Sequence, residues 1–119
     1  KYLVTKRSKS ETTFPEYWDI PGGLVEYGEL PKNAVIRETK EEVNLNIIPT
    51  TVIHEDSNLD EKKGMIFIRL VYLCKLVDDI KNIKLDYEEH SEYRLIKSLD
   101  DLEEELISPF LIELFEKDL

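Results

Sequence analysis

The chain has 119 residues, 41% of them hydrophobic, and a net charge of −10 at pH 7, which fits one compact domain over residues 1–119. The acidic balance excludes a nucleic-acid polymer as partner, because that binding depends on Lys and Arg neutralising phosphates. Its single cysteine, Cys74, excludes an intrachain disulfide, and no stretch reaches the roughly 20 apolar residues of a membrane span, so we expect a cytoplasmic protein without a membrane partner.

The first elements are short strands. Tyr2–Lys6 is strand-like from the start of the chain, so we expect a further N-terminal piece before it. Residues 7–17 are polar and indicate a loop. A second short strand, Trp18–Ile20, is predicted to stop at Pro21-Gly22-Gly23, since Pro lacks a backbone donor and Gly favours irregular backbone.

A helix is predicted next, from Pro31 to about Val43. Proline suits the first helical turn, where its missing N–H has no partner to lose. Asn44 follows the helix, and asparagine is second only to glycine as a left-handed C-terminal cap.

Two strands are predicted in the middle of the chain. Leu45–His54 is rich in β-branched residues, and residues 58–64 indicate a turn. Met65–Leu76 is mostly apolar, which predicts a strand buried on both faces. Cys74 is therefore expected to be a core strand residue and not a nucleophile.

The C-terminal third predicts one strand and two helices. Tyr93–Ile96 is the strand, and the helices are Asp100–Leu106 and Pro109–Lys117. The last helix has one apolar side, which we expect to pack into the core, formed by Phe110, Leu111, Leu114 and Phe115. Strands mixed with helices predict a layered α/β domain.

Three carboxylates share one face of the first helix. Glu38, Glu41 and Glu42 have the spacing i, i+3 and i+4. Like charges this close destabilise an isolated helix by about 0.2–0.5 kcal/mol per pair, whereas a hard divalent cation prefers such oxygens. The alternative is a solvated helix face, since the chain contains 17 Glu in all.

The surrounding residues favour the cation. The sequence has a spaced pattern that resembles the Nudix box, G-x5-E-x7-R-E-U-x-E-E-x-G-U, where U is apolar; its fixed positions are Gly23, Glu29, Arg37, Glu38, Glu41 and Glu42. Two positions depart from the box, Thr39 in place of an apolar residue and Asn44 in place of glycine. The segment from Trp18 to Gly23 is also similar to the one that precedes the box in that family.

This resemblance implies a fold and a site. The implied fold is a Nudix-type α/β/α sandwich with a mixed sheet and a loop–helix–loop. The implied ligands of Mg²⁺, or of Mn²⁺ in its place, are Glu38, Glu41, Glu42 and the backbone carbonyl near Gly22. Glu38 or Glu41 would also orient or deprotonate water. The supporting residues would be Arg37, Glu29 and Gly23.

A second acidic segment spans residues 86–94. In many Nudix proteins such a stretch supplies a carboxylate that completes the metal site or acts as base; Glu89 is the first choice here and Glu92 the second, with a solvated loop as the alternative. His90 is expected to be a surface loop residue, and His54 to cap a strand end. Outside this segment, Lys6 and Arg7 are candidates for contact with substrate phosphates, or else solvated charges.

The implied reaction is Mg²⁺-dependent hydrolysis of the pyrophosphate bond in a nucleotide-like diphosphate. Sequence markers for ADP-ribose, dinucleoside polyphosphates and coenzyme A are missing, so a (deoxy)nucleoside triphosphate is the first substrate by elimination. Three alternatives stay open. The chain could act on a nucleotide sugar, ADP-ribose or coenzyme A, could be a Nudix-fold sensor that binds a nucleotide without cleaving it, or could be an acidic structural domain.

Overall fold

Five strands and two α-helices form the fold of the computed structural model, which describes residues 1–119. The elements are β1 (Tyr2–Arg7), β2 (Trp18–Asp19), α1 (Pro31–Val43), β3 (Ile47–Asp60), β4 (Met65–Leu76), β5 (His90–Ile96) and α2 (Pro109–Lys117). Short 3₁₀ turns lie at Ile80–Asn82 and Leu99–Leu102. The predicted α/β class is confirmed. Neither α-helix has the length and apolar character that crossing a membrane requires.

The strands form two sheets. One has the order β2-β1-β5 and the other is the hairpin β3-β4, and all these pairs are antiparallel. Outside these strand pairs, Trp18 and Ile107 form one isolated bridge, which is parallel. Near the end of β1, Thr5 lies opposite Asp19 and Arg7 lies opposite His90. Strand β1 therefore brings β2 and the first residue of β5 to the same end of the sheet.

Helix α1 has the predicted bounds and caps. Pro31 occupies the first turn, and Asn44 adopts the left-handed conformation with φ 60° and ψ 34°, its N–H donating to the Lys40 carbonyl. The buried residues of the helix are Ala34, Glu42 and Val43. A buried glutamate needs a polar partner, and this one belongs to the candidate site.

The main core lies between the three-stranded sheet, β4 and α2. Its buried members are Val4, Trp18, Val71, Ile96, Leu102, Leu111 and Leu114. The prediction for α2 is confirmed, since Leu111 and Leu114 are buried and Phe110 and Phe115 pack against the same cluster.

A smaller core links α1 to the segment before β5. Val43, Leu45 and Leu85 are buried together. Two backbone hydrogen bonds accompany them, from the N–H of Lys84 to the Val43 carbonyl and from that of Asp86 to the Glu42 carbonyl, both 2.9 Å. The end of α1 is thereby fixed against the acidic segment that leads into β5.

The prediction that β4 is buried on both faces is wrong. Its bounds are as predicted, but only Val71 is buried, while Ile66 and Ile68 are 68% and 74% exposed. The reason is that no other element covers the faces of the hairpin near its tip, where the first five residues of β4 are all exposed. The turn predicted at residues 58–64 is also shorter, because β3 continues to Asp60.

The α-helix predicted at Asp100–Leu106 is a 3₁₀ turn instead. A capping box between Ser98 and Asp101 begins it, but it ends at Leu102. Glu104 has a φ of 68°, and a residue in the left-handed region cannot continue a right-handed helix. The strand predicted at Tyr93–Ile96 begins three residues earlier, at His90.

Candidate metal centre and active site

Arg37 of α1 ties the loop before the helix to the helix itself. Its guanidinium donates to both carboxylate oxygens of Glu29, at 2.8 and 2.9 Å, and to the Leu24 carbonyl at 3.0 Å. The hydrogen bonds from Arg37 lower the pKa of Glu29 to about 2. A bidentate pair of this kind is the stronger type of ion pair, and it holds residues 24–29 against the helix.

The same guanidinium holds two of the three helical carboxylates. Its Nη1 lies 2.8 Å from Glu38 Oε1 and 3.3 Å from Glu41 Oε2. The Glu38 carboxylate also lies against Gly23, where an added Cβ would collide with it. Gly23 therefore allows the Glu38 carboxylate to approach the backbone, and it has no left-handed conformation, which the structure shows at Gly28 and Gly64 instead.

Glu42 stands apart from the other two helical carboxylates. It is 3% exposed, and its Oε1 accepts a hydrogen bond from His90 Nε2 at 2.7 Å. Its Oε2 is buried and has no hydrogen-bond partner. Although the three carboxylates share one side of α1, Arg37 holds Glu38 and Glu41 while His90 holds Glu42.

Glu89 completes a group of three with Glu42 and His90. One ligand atom from each lies within 4.8 Å of the others. Burial is the main cause that raises the pKa of the Glu89 carboxyl, and the nearby charge of Glu42 raises it further. Two carboxylates this close repel each other, and a shared proton or a cation relieves that repulsion. The unpartnered Glu42 oxygen and this oxygen-rich donor set fit a hard divalent cation.

The segment that carries Glu89 and His90 is fixed by its backbone. Besides the bond from Asp86 to α1, the N–H of His90 donates to the Asp86 carbonyl and that of Ser8 to the Glu89 carbonyl, both at 2.9 Å. The prediction of His90 as a surface loop residue is wrong, since it is 5% exposed and begins β5. No local signal reveals this, because its partners, Arg7 and Glu42, are distant in sequence.

The two cations proposed for substrate phosphates have partners within the chain. Lys6 Nζ lies 3.5 Å from a carboxylate oxygen of Glu92, the second choice in the acidic segment. Arg7 pairs with Glu11 at 3.2 Å and donates to the Thr13 carbonyl at 2.8 Å. Either side chain would therefore have to leave these partners, or share them, in order to contact a substrate phosphate.

Arg7 also borders a cavity of about 420 Å³. Other lining residues are Phe14, Asp19, Ser108 and Phe110. Burial is the main reason that the pKa of the Asp19 carboxyl is raised. Asp19 is three residues before Gly22, so about 11 Å at most separates their Cα atoms.

Two other side chains have no role in this arrangement. His54 does not cap a strand end; it lies within β3, with Nδ1 at 2.6 Å from Asp118 and Nε2 at 2.8 Å from Asp56. Cys74 is half-buried on β4, and burial raises the pKa of its thiol, which makes it a weak nucleophile.

Comparison with known sequences identifies related proteins. The NUDIX domain family model matches residues 1–117. The nucleoside triphosphatase NudI of Escherichia coli K12 is 31% identical in an alignment over 108 residues. That alignment covers 83% of this chain and 74% of that protein. The m7GpppN-mRNA hydrolase NUDT17 of Xenopus laevis is 49% identical over 47 residues, 40% of this chain, and the match spans only 16% of that longer protein.

Solved structures show the same architecture. A MutT protein of Methanosarcina mazei Go1 has a TM-score of 0.77 at 29% identity, with 98% of this chain and 80% of that chain covered. An Ap4A hydrolase of C. elegans has a TM-score of 0.63 at 26% identity, with 97% and 81% covered. These similarities confirm the fold class expected from the sequence.

Proposed function

This chain belongs to the NUDIX family, and from that premise we propose that it hydrolyses the pyrophosphate bond of a nucleoside triphosphate with the help of a divalent cation, Mg²⁺ or Mn²⁺. The observation that carries the proposal is the juxtaposition of Glu42 and Glu89, with one buried Glu42 oxygen left without a partner. Two adjacent carboxylates on the fold of the NUDIX family favour an enzyme over an acidic structural domain.

Glu42 and Glu89 would hold the cation. We also propose three further ligands, which rest only on the resemblance of the sequence to the Nudix box: Glu38, Glu41 and the Gly22 carbonyl. A bound divalent cation neutralises charge on phosphate oxygens and makes an associated water more acidic. In this chain Arg37 pairs with Glu38 and Glu41, whereas the close group of ligand atoms consists of Glu42, Glu89 and His90.

Glu89 is the proposed general base. In the proposed step a water oxygen forms a bond to phosphorus, the bridging P–O bond breaks, and the proton of the water passes to Glu89. The products are a nucleoside monophosphate and inorganic pyrophosphate, which leaves with the bridging oxygen. Glu38 and Glu41 are the alternative bases.

The cavity beside Asp19 is the proposed site for the nucleoside. Its size lies within the usual range for small-molecule pockets, and it combines the aromatic rings of Phe14 and Phe110 with polar groups. The exposed ring of Phe14 suits the face of a base, whereas the Phe110 ring is already covered by the Arg69 guanidinium. Asp19 and Ser108 suit the polar edge of a base. NudI, described as a nucleoside triphosphatase, supports this substrate class.

The test is a substrate panel with matched variants. We expect Mg²⁺-dependent conversion of one or more (deoxy)nucleoside triphosphates to the nucleoside monophosphate and inorganic pyrophosphate, measured by chromatography. Glu42→Gln and Glu89→Gln should each reduce kcat/KM by about 100-fold or more, because several kcal/mol of charge stabilisation or proton transfer are lost. Glu116→Gln, an exposed change on α2, is the matched control and should retain full activity.

Other results on the same panel would redirect the proposal. The panel also contains a capped dinucleotide, Ap4A, a nucleotide sugar, ADP-ribose and coenzyme A, because relatives include a cap hydrolase and an Ap4A hydrolase. A strong preference for one of these would replace the triphosphate as substrate. Tight nucleotide binding without any turnover in Mg²⁺ or Mn²⁺ would favour a sensor and contradict the enzyme.

A further inference from the structure

We propose that His90 is a positioning residue of the cation site, whose Nε2–H fixes Oε1 of Glu42 so that Oε2 is presented to the cation beside Glu89. The inference rests on the proposed function, since it assigns a role toward the same cation. It concerns the affinity of the site and the orientation of one ligand, and not the chemical step itself.

The two oxygens of the Glu42 carboxylate have different surroundings. Oε1 is 2.7 Å from His90 Nε2, whereas Oε2 is buried and has no hydrogen-bond partner. An unpaired carboxylate oxygen in a residue that is 3% exposed is costly, because it has lost its water without replacement. Since Oε1 is occupied, Oε2 is the Glu42 atom available to a cation.

The second ring nitrogen of His90 shows which nitrogen carries the hydrogen. His90 Nδ1 is buried and has no partner, so no acceptor is present for a hydrogen there. The ring hydrogen therefore belongs on Nε2, where the Glu42 carboxylate accepts it.

The backbone fixes the ring before any cation arrives. His90 is 5% exposed, is paired with Arg7 across β1 and β5, and donates its N–H to the Asp86 carbonyl. Asp86 in turn donates to the carbonyl of Glu42 itself. Ring and carboxylate are thus held by the same short network, and a ligand that is already oriented binds with less loss of side-chain entropy.

Two variants of His90 test whether the affinity for the cation depends on its N–H donor. His90→Leu removes the donor but keeps an apolar side chain, whereas His90→Gln keeps an N–H donor at similar reach. Mn²⁺ binding to the full chain, without nucleotide, is measured from the electron paramagnetic resonance of free Mn²⁺. We expect Kd to rise about 10- to 100-fold in His90→Leu and only a few-fold in His90→Gln. Ser91→Ala, the exposed next residue, is the matched control.

Kinetics provide a second readout that a merely structural role would not give. The Mg²⁺ concentration for half-maximal activity should rise in His90→Leu by the same factor as Kd for Mn²⁺. The kcat at saturating Mg²⁺ should stay within a few-fold of the wild-type value, because a sufficient cation concentration compensates for a misaligned ligand. A general loss of packing would instead lower kcat at every Mg²⁺ concentration.

The outcomes distinguish this inference from the proposed function. If the wild type binds Mn²⁺ and a folded His90→Leu binds it equally well, the positioning role is wrong and the function stands. If the wild type neither binds Mn²⁺ nor shows turnover, the function fails and the inference falls with it. If His90→Leu does not fold, His90→Asn replaces it; its shorter amide misses Glu42, so affinity equal to that of His90→Gln would overturn the role.

Discussion

The carboxylates of α1 show how strongly neighbours decide the state of a side chain. Glu38 and Glu41 contact the Arg37 guanidinium, whereas Glu42, on the same side of the helix, is buried against His90. Sequence spacing places all three on one face but cannot say which of them meets an arginine and which meets a second acid. That distinction determines which oxygen is free for a cation.

A pH-dependent contribution to stability is expected from Glu29. Its pKa is about 2 in the folded protein against 4.5 for the free group, mainly because Arg37 donates to it. The folded state therefore binds fewer protons than the unfolded chain in acid, so the stabilisation is complete above about pH 5 and is lost as the pH falls from 4.5 towards 2. Urea unfolding of the wild type and of Glu29→Gln across this range measures it.

The wild type should be the more stable protein at pH 6, and the difference should shrink steadily below pH 4.5. It should also decrease in high salt, because Arg37 and Glu29 are partly exposed. Glu61→Gln, at the exposed tip of the hairpin, is the control and should show no such trend. A difference that stays constant down to pH 2 would contradict the ion pair.

At the scale of elements, local signals predicted α1 and α2 well. Pro31, Asn44 and Pro109 mark helix ends by their own backbone preferences, which need no distant partner. The burial of β4 could not be predicted in the same way. An apolar strand is buried only if other layers cover its faces, and no layer covers Ile66 and Ile68.

This contrast gives a prediction for α2 and the hairpin. Leu114→Ala should lower the free energy of unfolding by about 2–5 kcal/mol, because Leu114 is 2% exposed within the main core. Ile66→Ala, at a position 68% exposed, should change it by about 0.5 kcal/mol or less. Denaturant unfolding measures both. A loss at Ile66 equal to that at Leu114 would show that another layer covers the hairpin tip.

At the scale of the whole molecule, the candidate site joins distant parts of the chain. The box residues of the loop and α1 could be identified from sequence, because their spacing is local. Glu89 was a candidate from its acidic segment alone. The link from His90 to Glu42 spans 48 positions and depends on β1, β5 and the Leu85 cluster, so only the folded chain reveals it.

The central claim is that Glu42 and Glu89 together bind the cation on which pyrophosphate cleavage depends. The most direct measurement is anomalous diffraction from crystals grown with Mn²⁺ and a non-hydrolysable nucleoside triphosphate. We expect an ion about 2.0–2.5 Å from Glu42 Oε2 and from a Glu89 oxygen, in contact with the phosphates. Mn²⁺ bound elsewhere, with Glu42 and Glu89 still without an ion between them, would contradict it.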